Sequence, residues 1–353
     1  MIKLGLSYSD ICIEPGVISE VRHRKNCKVK DDNGFLPLFT APMDSVIGVK
    51  NMDQYKKNGI VPILPRTVPF KEGLDNRIDF AKGGFWIAVG LGEFNELLDN
   101  YDITGWKILI DIANGHMKEL YTTVEKAKKR FNFTVMVGNI ANPETIRYAE
   151  DAGADYIRCG IGSGRGCITS SNTAIHYPMA SLINEAYEIK SRENLKINIV
   201  ADGGIRGYDD VIKALEIGAD YVMIGSVFTK MLESSAPVLE KEGENYILLD
   251  NVEGISYRSG KFYWHDREIE LYKTFYGMAS KSGQIAMGKK DLTTSEGIKI
   301  TLPVEYTMEA WAENFIDYLR SSMSYLGVKD IKNIQGSGTI VRITEGTRER
   351  VNQ

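Results

Sequence analysis

A cysteine in a glycine-rich loop is the strongest chemical signal in the sequence. Cys167 ends the run GSGRGC, and Thr169 follows two positions later. A structural cysteine normally lies in an apolar element, whereas this one lies in a polar loop beside Arg165, where a cation can stabilise a thiolate. The spacing alone leaves a nucleophilic cysteine and a structural cysteine as equal alternatives.

Two glycine-containing turns could bind an anion. One apolar run ends in Asp202-Gly203-Gly204, and the next ends in Gly225-Ser226. Backbone amides next to glycine can approach an anion closely, and the serine hydroxyl adds a donor. Either turn alone is typical of a tight connection between a strand and a helix. Two of them at the ends of successive runs instead indicate a ligand that carries a phosphate.

The remaining cysteines and the histidines carry no chemical signal. Cys159 lies inside an apolar run, where it is expected to pack, and Cys12 and Cys27 occur in no motif. Four scattered cysteines in 353 residues do not make a disulfide framework, which is typical of a reducing compartment. The four histidines form no cluster, so neither a metal site nor a histidine-based triad is predicted.

Composition and charge exclude several classes of protein. Hydrophobic residues make up 43% and charged residues 25% of the chain, as in ordinary globular proteins. With 43 basic and 47 acidic side chains the net charge is −4, so no global field attracts nucleic acid or anionic lipid. The opening MIKLGLSYSD lacks a signal peptide's apolar core, and no apolar run has membrane-spanning length. A cytoplasmic protein with neither nucleic acid nor membrane as a partner is therefore expected.

Short apolar runs recur along the chain and predict its architecture. Eight of them, each bounded by Gly, Pro or Asp, begin at Phe35, Gly59, Phe85, Lys107, Thr134, Tyr156, Ile197 and Tyr221. Unbroken Val- and Ile-rich runs are typical of strands that are covered on both faces. Helix-period stretches such as PETIRYAEDAGA and YDDVIKALEIGA lie between them, and their Gly-Ala endings indicate helix C-caps. Eight strand–helix units predict an α/β fold, a (β/α)8 TIM barrel, although a doubly wound open sheet stays an alternative because periodicity does not show closure.

Two stretches interrupt the repeat and are expected to build the active site. In a barrel the loops after the carboxyl ends of the strands carry the site, and phosphate commonly binds after strands 7 and 8, where the two glycine turns lie. The cysteine loop follows strand 6. Residues 241–300, after strand 8, are predicted to form a hairpin that turns at Ser259-Gly260, followed by a long flap.

We expect residues 1–353 to form a single barrel domain with its core at about 35–330. The core includes a late helix, MEAWAENFIDYLRSSMSYL, and a polar tail follows it.

Several of these motifs together resemble one enzyme family. They are TAPMDSV (40–46), IDIANGH (110–116), VGNI (137–140), IRCGIGSGRGCITS (157–170), VADGGI (200–205), MIGS (223–226), FYGMAS (275–280) and SEG (295–297). In this order, from about residue 5 to 330, they resemble the IMP dehydrogenase/GMP reductase family. The resemblance implies a barrel without the regulatory domain that most IMP dehydrogenases insert after the second strand, because ILPRT leads directly to the third strand.

The resemblance implies covalent chemistry at Cys167. In this family the loop cysteine attacks C2 of a purine nucleotide 5′-monophosphate, and hydride then passes between that carbon and a nicotinamide. Carried over by position, Cys167 is the nucleophile, and Thr169 and Glu296 are the pair that handles protons. Charge that develops on the ring must be stabilised by hydrogen-bond donors, and an amine leaves only once it is protonated. These needs account for a nucleophilic cysteine accompanied by a pair of residues that handles protons.

The resemblance also implies binding residues by position. The substrate contacts would be Asn139, Arg158, Arg165, Asp202, Gly204, Gly225, Ser226, Gly277 and Met278, with Asp202 on the ribose hydroxyls and Gly204, Gly225 and Ser226 on the phosphate. The cofactor contacts would be Asp111, Ala113, Asn114 and Gly115. A monovalent cation, K+, would bind the backbone of Gly162, Gly164 and Cys167. The family's barrels imply a homotetramer.

The phrases ANGH, FYGMAS and SEG favour the GMP reductase branch of the family. IMP dehydrogenase needs a long flap bearing an Arg-Tyr pair, whereas the stretch from Gly277 to Glu296 is short and contains no such pair. The resemblance thus implies NADPH-dependent reduction of GMP to IMP with release of ammonia. The alternatives are an IMP dehydrogenase without that flap, which oxidises IMP to XMP with NAD, and a relative acting on another purine nucleotide. A non-catalytic nucleotide sensor is a third, since a fold alone does not give function.

Several positions depart from the family's pattern. Arg165 replaces a serine before the cysteine, at a place that normally touches phosphate. His176 lies within a segment that is glycine-rich in the family, and Arg66 ends strand 2 where the family has histidines. Residues 241–274 are longer than is typical for a reductase. Arginine is a good bidentate phosphate ligand, so we expect Arg165 to contact the 5′-phosphate.

Overall fold

The eight apolar runs form the strands of one parallel sheet. A computed structural model describes residues 2–71, 76–249 and 251–351. A short first strand, β1 (Ile11–Glu14), precedes the eight. They are β2 (Leu38–Thr40), β3 (Ile63–Leu64), β4 (Trp86–Val89), β5 (Lys107–Asp111), β6 (Thr134–Ile140), β7 (Tyr156–Cys159), β8 (Asn198–Asp202) and β9 (Tyr221–Ile224). Each falls within one predicted run.

Hydrogen bonds close this sheet into a barrel. The strands lie in the order β2-β9-β8-β7-β6-β5-β4-β3, and the pairs between neighbours are parallel. The two ends of that order meet at a parallel bridge between Phe39 and Val61. There the Val61 amide donates to Leu38 O over 2.9 Å, and the Thr40 amide donates to Val61 O over 3.0 Å. The predicted (β/α)8 barrel is confirmed, and the open doubly wound sheet is wrong.

Helices follow the strands, largely where the sequence has helical period. They are α1 (Met52–Lys57), α2 (Arg77–Lys82), α3 (Leu91–Asn100), α4 (Lys118–Arg130), α5 (Thr145–Asp151), α6 (Thr169–Thr173), α7 (Met179–Glu193), α8 (Tyr208–Glu216) and α9 (Ser226–Thr229). Gly153 and Gly218 follow α5 and α8 with φ values of 81° and 126°, which glycine adopts without steric penalty. The predicted Gly-Ala endings of these two helices are confirmed.

Aromatic side chains fill the amino-terminal end of the barrel. Phe39, Trp86, Tyr156 and Tyr221 come from four different strands, and their ring centroids lie 5.0 to 5.9 Å apart. Most of these pairs meet edge to face, the arrangement that aromatic quadrupoles favour. This packing leaves the carboxyl ends of the strands as the place where a ligand can enter, as is general in this fold.

Two small antiparallel sheets follow the last barrel strand. One contains β10 (Val238–Glu242), β11 (Asn245–Leu248), β15 (Leu271–Tyr276) and β16 (Lys299–Pro303), and the other contains β12 (Ile255–Arg258), β13 (Lys261–Trp264) and β14 (Arg267–Ile269). The helix α10 (Lys281–Ala286) lies between β15 and β16 in the chain. The hairpin predicted at Ser259-Gly260 joins β12 to β13, and both turn residues have positive φ, 50° and 80°, as a type I′ turn requires. The predicted flap contains α10 and ends in β16, which pairs with β15.

The chain's last elements return to the barrel and to the first strand. The predicted late helix is α11 (Met308–Leu326), which buries Trp311 and Phe315 and packs against α8. The polar tail has structure that its sequence does not predict, since β17 (Thr339–Arg342) pairs antiparallel with β1 and α12 (Glu345–Val351) follows. Single 3-10 turns lie at Tyr8–Asp10, Arg24–Asn26 and Ile331–Asn333.

The cysteines agree with the expectation drawn from their number and spacing. All four cysteines are free thiols, and Cys159 is buried in the core as predicted, where burial raises its pKa. Within residues 2–71, 76–249 and 251–351, no helix is both long enough and apolar enough to cross a membrane.

We expect Phe39→Ala to lower the free energy of unfolding by about 3–5 kcal/mol, because a ring only 2% exposed is lost and a cavity remains. Urea unfolding followed by far-UV circular dichroism measures the change. Tyr325→Ala is the control, since Tyr325 is 67% exposed and its loss should change stability by about 0.5 kcal/mol or less. Equal losses in the two variants would contradict this account of the barrel interior.

Candidate active site

A cleft of about 850 Å³ opens at the carboxyl ends of the barrel strands, and we call it the first cleft. It is lined by all of the residues predicted to contact a substrate: Asn139, Arg158, Arg165, Asp202, Gly204, Gly225, Ser226, Gly277 and Met278. Cys167 lines it as well. The barrel therefore brings together side chains that lie far apart in the sequence, each at the end of a strand or in the loop that follows.

Arg158 is a buried charge with two carboxylate partners. Its side chain, on β7, is 8% exposed as a residue. Arg158 Nη1 lies 2.5 Å from Asp111 Oδ1, at the end of β5, and Nε lies 2.9 Å from Asp202 Oδ2, at the end of β8. Burial opposes the charge, but the two carboxylates outweigh it and raise the pKa of Arg158, so the guanidinium stays ionised.

Asn139 extends this network. Its Nδ2 donates to Asp202 Oδ2 and to Gly160 O, each over 2.7 Å. Asp202 Oδ2 thus accepts bonds from two protein groups, whereas Asp202 Oδ1 has no partner in the part of the chain that the structure describes. A carboxylate that is fixed through one oxygen can accept hydrogen bonds from ligand hydroxyls through the other.

A hydrogen-bonded chain runs from a thiol to a carboxylate. Cys167 Sγ donates to Thr169 Oγ1 over 3.2 Å, and Thr169 Oγ1 donates to Glu296 Oε2 over 2.6 Å. All three side chains are partly buried. A hydroxyl that accepts from a thiol and donates to a carboxylate can pass a proton between them. The structure therefore joins the three residues predicted as catalytic in one relay.

Backbone contacts hold Glu296 against the cysteine loop. The Ile168 amide donates to Glu296 O and the Ile298 amide donates to Gly166 O, each over 2.9 Å. A Cβ on Gly166 would lie 2.9 Å from Gly277 N, closer than real side chains approach. Glycine at that position is what allows the cysteine loop, the Glu296 segment and the end of β15 to meet.

The glycine turns predicted to bind phosphate line the first cleft, but one of their amides already donates a hydrogen bond within the protein. The Gly204 amide donates to Ser163 O over 3.0 Å. Gly225 and Ser226 line the cleft, and so does Arg165. The Arg165 side chain is exposed and has no ion-pair or hydrogen-bond partner among the described residues. An anion at this end of the cleft would therefore meet Arg165 and the Gly225-Ser226 turn rather than the Gly204 amide.

A second cleft, of about 1290 Å³, shares Cys167 and Met278 with the first. Of the other predicted residues, Asp111, Asn139, Arg158 and Gly162 also line both clefts, whereas Ala113, Thr169 and Glu296 line only the second. The cations Arg66 and Lys289 line the second cleft too. A long anionic cofactor that must bring one end to Cys167 suits a cleft in this position with these cations.

Asn114 and Gly115, also predicted to contact the cofactor, line neither cleft. They form the turn that follows Ala113. Asn114 Oδ1 accepts from the His116 amide over 3.1 Å, and the Gly115 amide donates to Asn139 O over 2.8 Å. These bonds hold the turn in place behind the cleft-lining residues.

The backbone positions predicted to bind K+ are partly used inside the cysteine loop. Gly162 O accepts from the Ser170 hydroxyl over 3.2 Å, and Gly164 O accepts from the Cys167 amide over 3.0 Å. Each carbonyl oxygen has a second lone pair, so these bonds leave room for a cation. In the described ranges, no group of three or more His, Cys, Asp and Glu side chains could hold a metal ion.

Some lining residues are not among those singled out from the sequence. Met43 and Phe275 line the first cleft, and they belong to TAPMDSV and FYGMAS, the motifs that carried the resemblance. Two of the departures from the family's pattern, Arg66 and His176, lie in different places relative to the clefts. Arg66 lines the second cleft, whereas His176 lies in neither cleft, with its Nδ1 2.8 Å from Ile161 O.

Known proteins resemble this chain over most of its length. A family model described as the IMP dehydrogenase / GMP reductase domain matches residues 99–351. The chain is 30% identical over 347 residues to the GMP reductase of Staphylococcus epidermidis, and the match covers 93% of each protein. It is 30% identical over 241 residues to GMP reductase 2 of Homo sapiens and 29% identical over 249 residues to the GMP reductase of Onchocerca volvulus.

The human and Onchocerca matches cover 67% and 69% of this chain but only 61% and 60% of those relatives. The family model, in contrast, covers well over half of this chain, and the staphylococcal match extends over nearly all of both proteins. The chain belongs to the IMP dehydrogenase/GMP reductase family.

Proposed function

We propose that this protein is a GMP reductase, which uses NADPH to convert GMP to IMP and ammonia. The observation that carries the proposal is the relay from Cys167 through Thr169 to Glu296, located where the two clefts meet. A nucleophile and a proton carrier between two binding clefts suit a reaction in which one ligand is attacked and another delivers hydride. The three relatives named above, all GMP reductases, support the same choice.

In the proposed reaction, Cys167 attacks C2 of the guanine ring. The thiol proton passes through Thr169 to Glu296 as the S–C2 bond forms. Glu296 returns a proton through Thr169 to the 2-amino group, which leaves as ammonia when the C2–N bond breaks. NADPH bound in the second cleft would supply hydride to C2, and Cys167 would leave that carbon as the thiolate, which gives IMP.

The polar network of the first cleft suits a nucleoside 5′-monophosphate. We assign the ribose hydroxyls to Asp202 Oδ1, because Arg158 and Asn139 fix the orientation of that carboxylate. We assign the phosphate to Arg165 and the Gly225-Ser226 turn, which lie on the same cleft and include an unpaired guanidinium within the described residues.

In the same proposal the cofactor occupies the second cleft. Asp111 and Ala113 would hold it, and Arg66 and Lys289 would offset its negative charge. NADPH as the cofactor, K+ at the cysteine loop, a homotetramer and a cytoplasmic location are parts of the proposal that rest on the family resemblance.

A steady-state assay tests the proposed activity. With GMP and NADPH, loss of reduced nicotinamide and release of ammonia should be equimolar. Cys167→Ala should bind GMP but turn over at least about 10³-fold more slowly, because the nucleophile is gone. Formation of XMP from IMP and NAD, without turnover of GMP, would show an IMP dehydrogenase instead. GMP binding without turnover under either condition would favour a nucleotide sensor.

We expect Glu296→Gln to lower kcat by about 10²–10⁴-fold, because an amide cannot take up and return the proton at the end of the relay. The KM for GMP should change little, since Glu296 lines the second cleft rather than the first. Glu313→Gln, which alters an exposed carboxylate on α11, should behave as wild type in the same assay. Wild-type turnover by Glu296→Gln would contradict the proton relay.

We expect Arg165→Ala to weaken GMP binding by about 1.5–3 kcal/mol, because a charge-assisted bond to the phosphate is lost. Binding of guanosine, which has no phosphate, should stay the same, and calorimetric titration with both ligands measures the difference. Arg22→Ala removes an exposed arginine elsewhere and should leave both affinities unchanged. If Arg165→Ala keeps wild-type GMP affinity, the phosphate is not bound by this residue.

A further inference from the structure

One side-chain hydrogen bond joins two walls of the first cleft. The Tyr276 hydroxyl donates to Asp44 Oδ2, across 232 positions of sequence. Asp44 lies in the loop after β2, and Tyr276 is the last residue of β15. The bond therefore connects the barrel to the small sheet that follows it, and we call it the clasp.

Both partners of the clasp adjoin residues that line the first cleft. Met43, directly before Asp44, lines the cleft, and so do Phe275 and Gly277 on either side of Tyr276. Asp44 and Tyr276 themselves line neither cleft. The clasp can therefore act on a ligand only through the neighbours whose positions it fixes.

The carboxylate of Asp44 is held in an unfavourable environment. Its Oδ1 is buried and has no hydrogen-bond partner among the described residues. Burial raises the pKa of Asp44, against the opposing effects of the bond from Tyr276 and of the backbone amides of Ser45 and Asp44. Burial and the carboxylate together raise the pKa of Tyr276, so the phenol keeps its proton and remains the donor. The clasp is therefore a partly buried bond between a phenol and a carboxylate that has no other side-chain partner among the described residues.

The strand that carries Tyr276 is anchored a little earlier by Lys273. Lys273 is 0% exposed, and its Nζ donates to Leu232 O (2.8 Å), Ser234 O (2.7 Å) and Ser234 Oγ (2.8 Å). This anchor fixes the middle of β15 to the loop after α9. The clasp fixes the end of the strand, immediately before the turn that lines the first cleft.

We propose that Asp44 and Tyr276 are positioning residues, and that the clasp sets the separation between the Met43 and Met278 walls that the purine ring must enter. The inference rests on the proposed function, because it takes the first cleft as the GMP site. What the clasp requires of Asp44 is a hydrogen-bond acceptor rather than a charge. Asparagine at position 44 supplies that acceptor.

Four variants separate these requirements. Tyr276→Phe removes only the hydroxyl, Asp44→Ala removes the acceptor and Asp44→Asn keeps an acceptor. Tyr272→Phe is the matched control, since it removes another hydroxyl of β15, one that contacts Glu270 between β14 and β15. In calorimetric titrations, Tyr276→Phe and Asp44→Ala should each weaken GMP binding about tenfold. Asp44→Asn and Tyr272→Phe should stay within about threefold of wild type.

A double variant tests whether the two residues act as a unit. Asp44→Ala combined with Tyr276→Phe should bind GMP no more weakly than Asp44→Ala alone, because both substitutions remove the same bond. The tenfold loss should be found in the KM for GMP, with kcat changed less than about threefold. Additive losses, or an Asp44→Asn variant as weak as Asp44→Ala, would overturn the proposal.

Hydrogen exchange without ligand provides a readout that needs no nucleotide. The amides of residues 277–280 should exchange faster in Tyr276→Phe and Asp44→Ala than in wild type, at an unchanged temperature of global unfolding. If the wild-type protein binds no GMP, the proposed function fails, whereas the exchange pattern still decides whether the clasp holds this wall. Unchanged exchange in Tyr276→Phe would overturn the clasp whatever the protein binds.

Discussion

The buried guanidinium of Arg158 is the interaction on which the rest of the site depends. It is 8% exposed, and the carboxylates that pair with it, Asp111 and Asp202, end two other strands. A buried charge that loses one partner typically costs about 3–5 kcal/mol, so the fold holds both carboxylates in place. Asp202 lines the first cleft and Asp111 lines both clefts. One ion-pair network thus fixes the binding groups of two ligands relative to each other.

Backbone contacts fix the positions of the reacting groups, as the Arg158 ion pairs fix the positions of the binding groups. Thr169 and Glu296 are 127 positions apart in sequence, yet their side chains meet at 2.6 Å. Backbone hydrogen bonds between the cysteine loop and the Glu296 segment hold the two segments together, and the missing side chain of Gly166 lets the end of β15 approach them. Because backbone hydrogen bonds hold the segments that carry the three side chains, the relay is pre-organised before a ligand binds.

The barrel can be predicted from the sequence, because each buried strand is an unbroken apolar run and the stretches between the runs have the spacing of apolar residues that is typical of a helix. The hairpin at Ser259-Gly260 can be predicted as well, because a two-residue hairpin turn favours residues such as glycine that adopt positive φ. The pairing of β1 with β17 could not be predicted, because it joins opposite ends of the chain through mostly exposed, short segments. The residues of the site could be predicted because they belong to short sequence motifs. The hydrogen bond from the Gly204 amide to Ser163 and the bond between Asp44 and Tyr276 could not, because they depend on tertiary contacts.

If the first cleft binds GMP as proposed, the C2 atom of the nucleotide lies at Cys167. A crystal structure of the protein with GMP measures that distance. We expect C2 about 3–3.5 Å from Cys167 Sγ, the distance of a group about to react, with the ribose on Asp202 and the phosphate at Arg165. A nucleotide bound outside the first cleft, or one whose C2 faces away from the sulfur, would contradict the proposal.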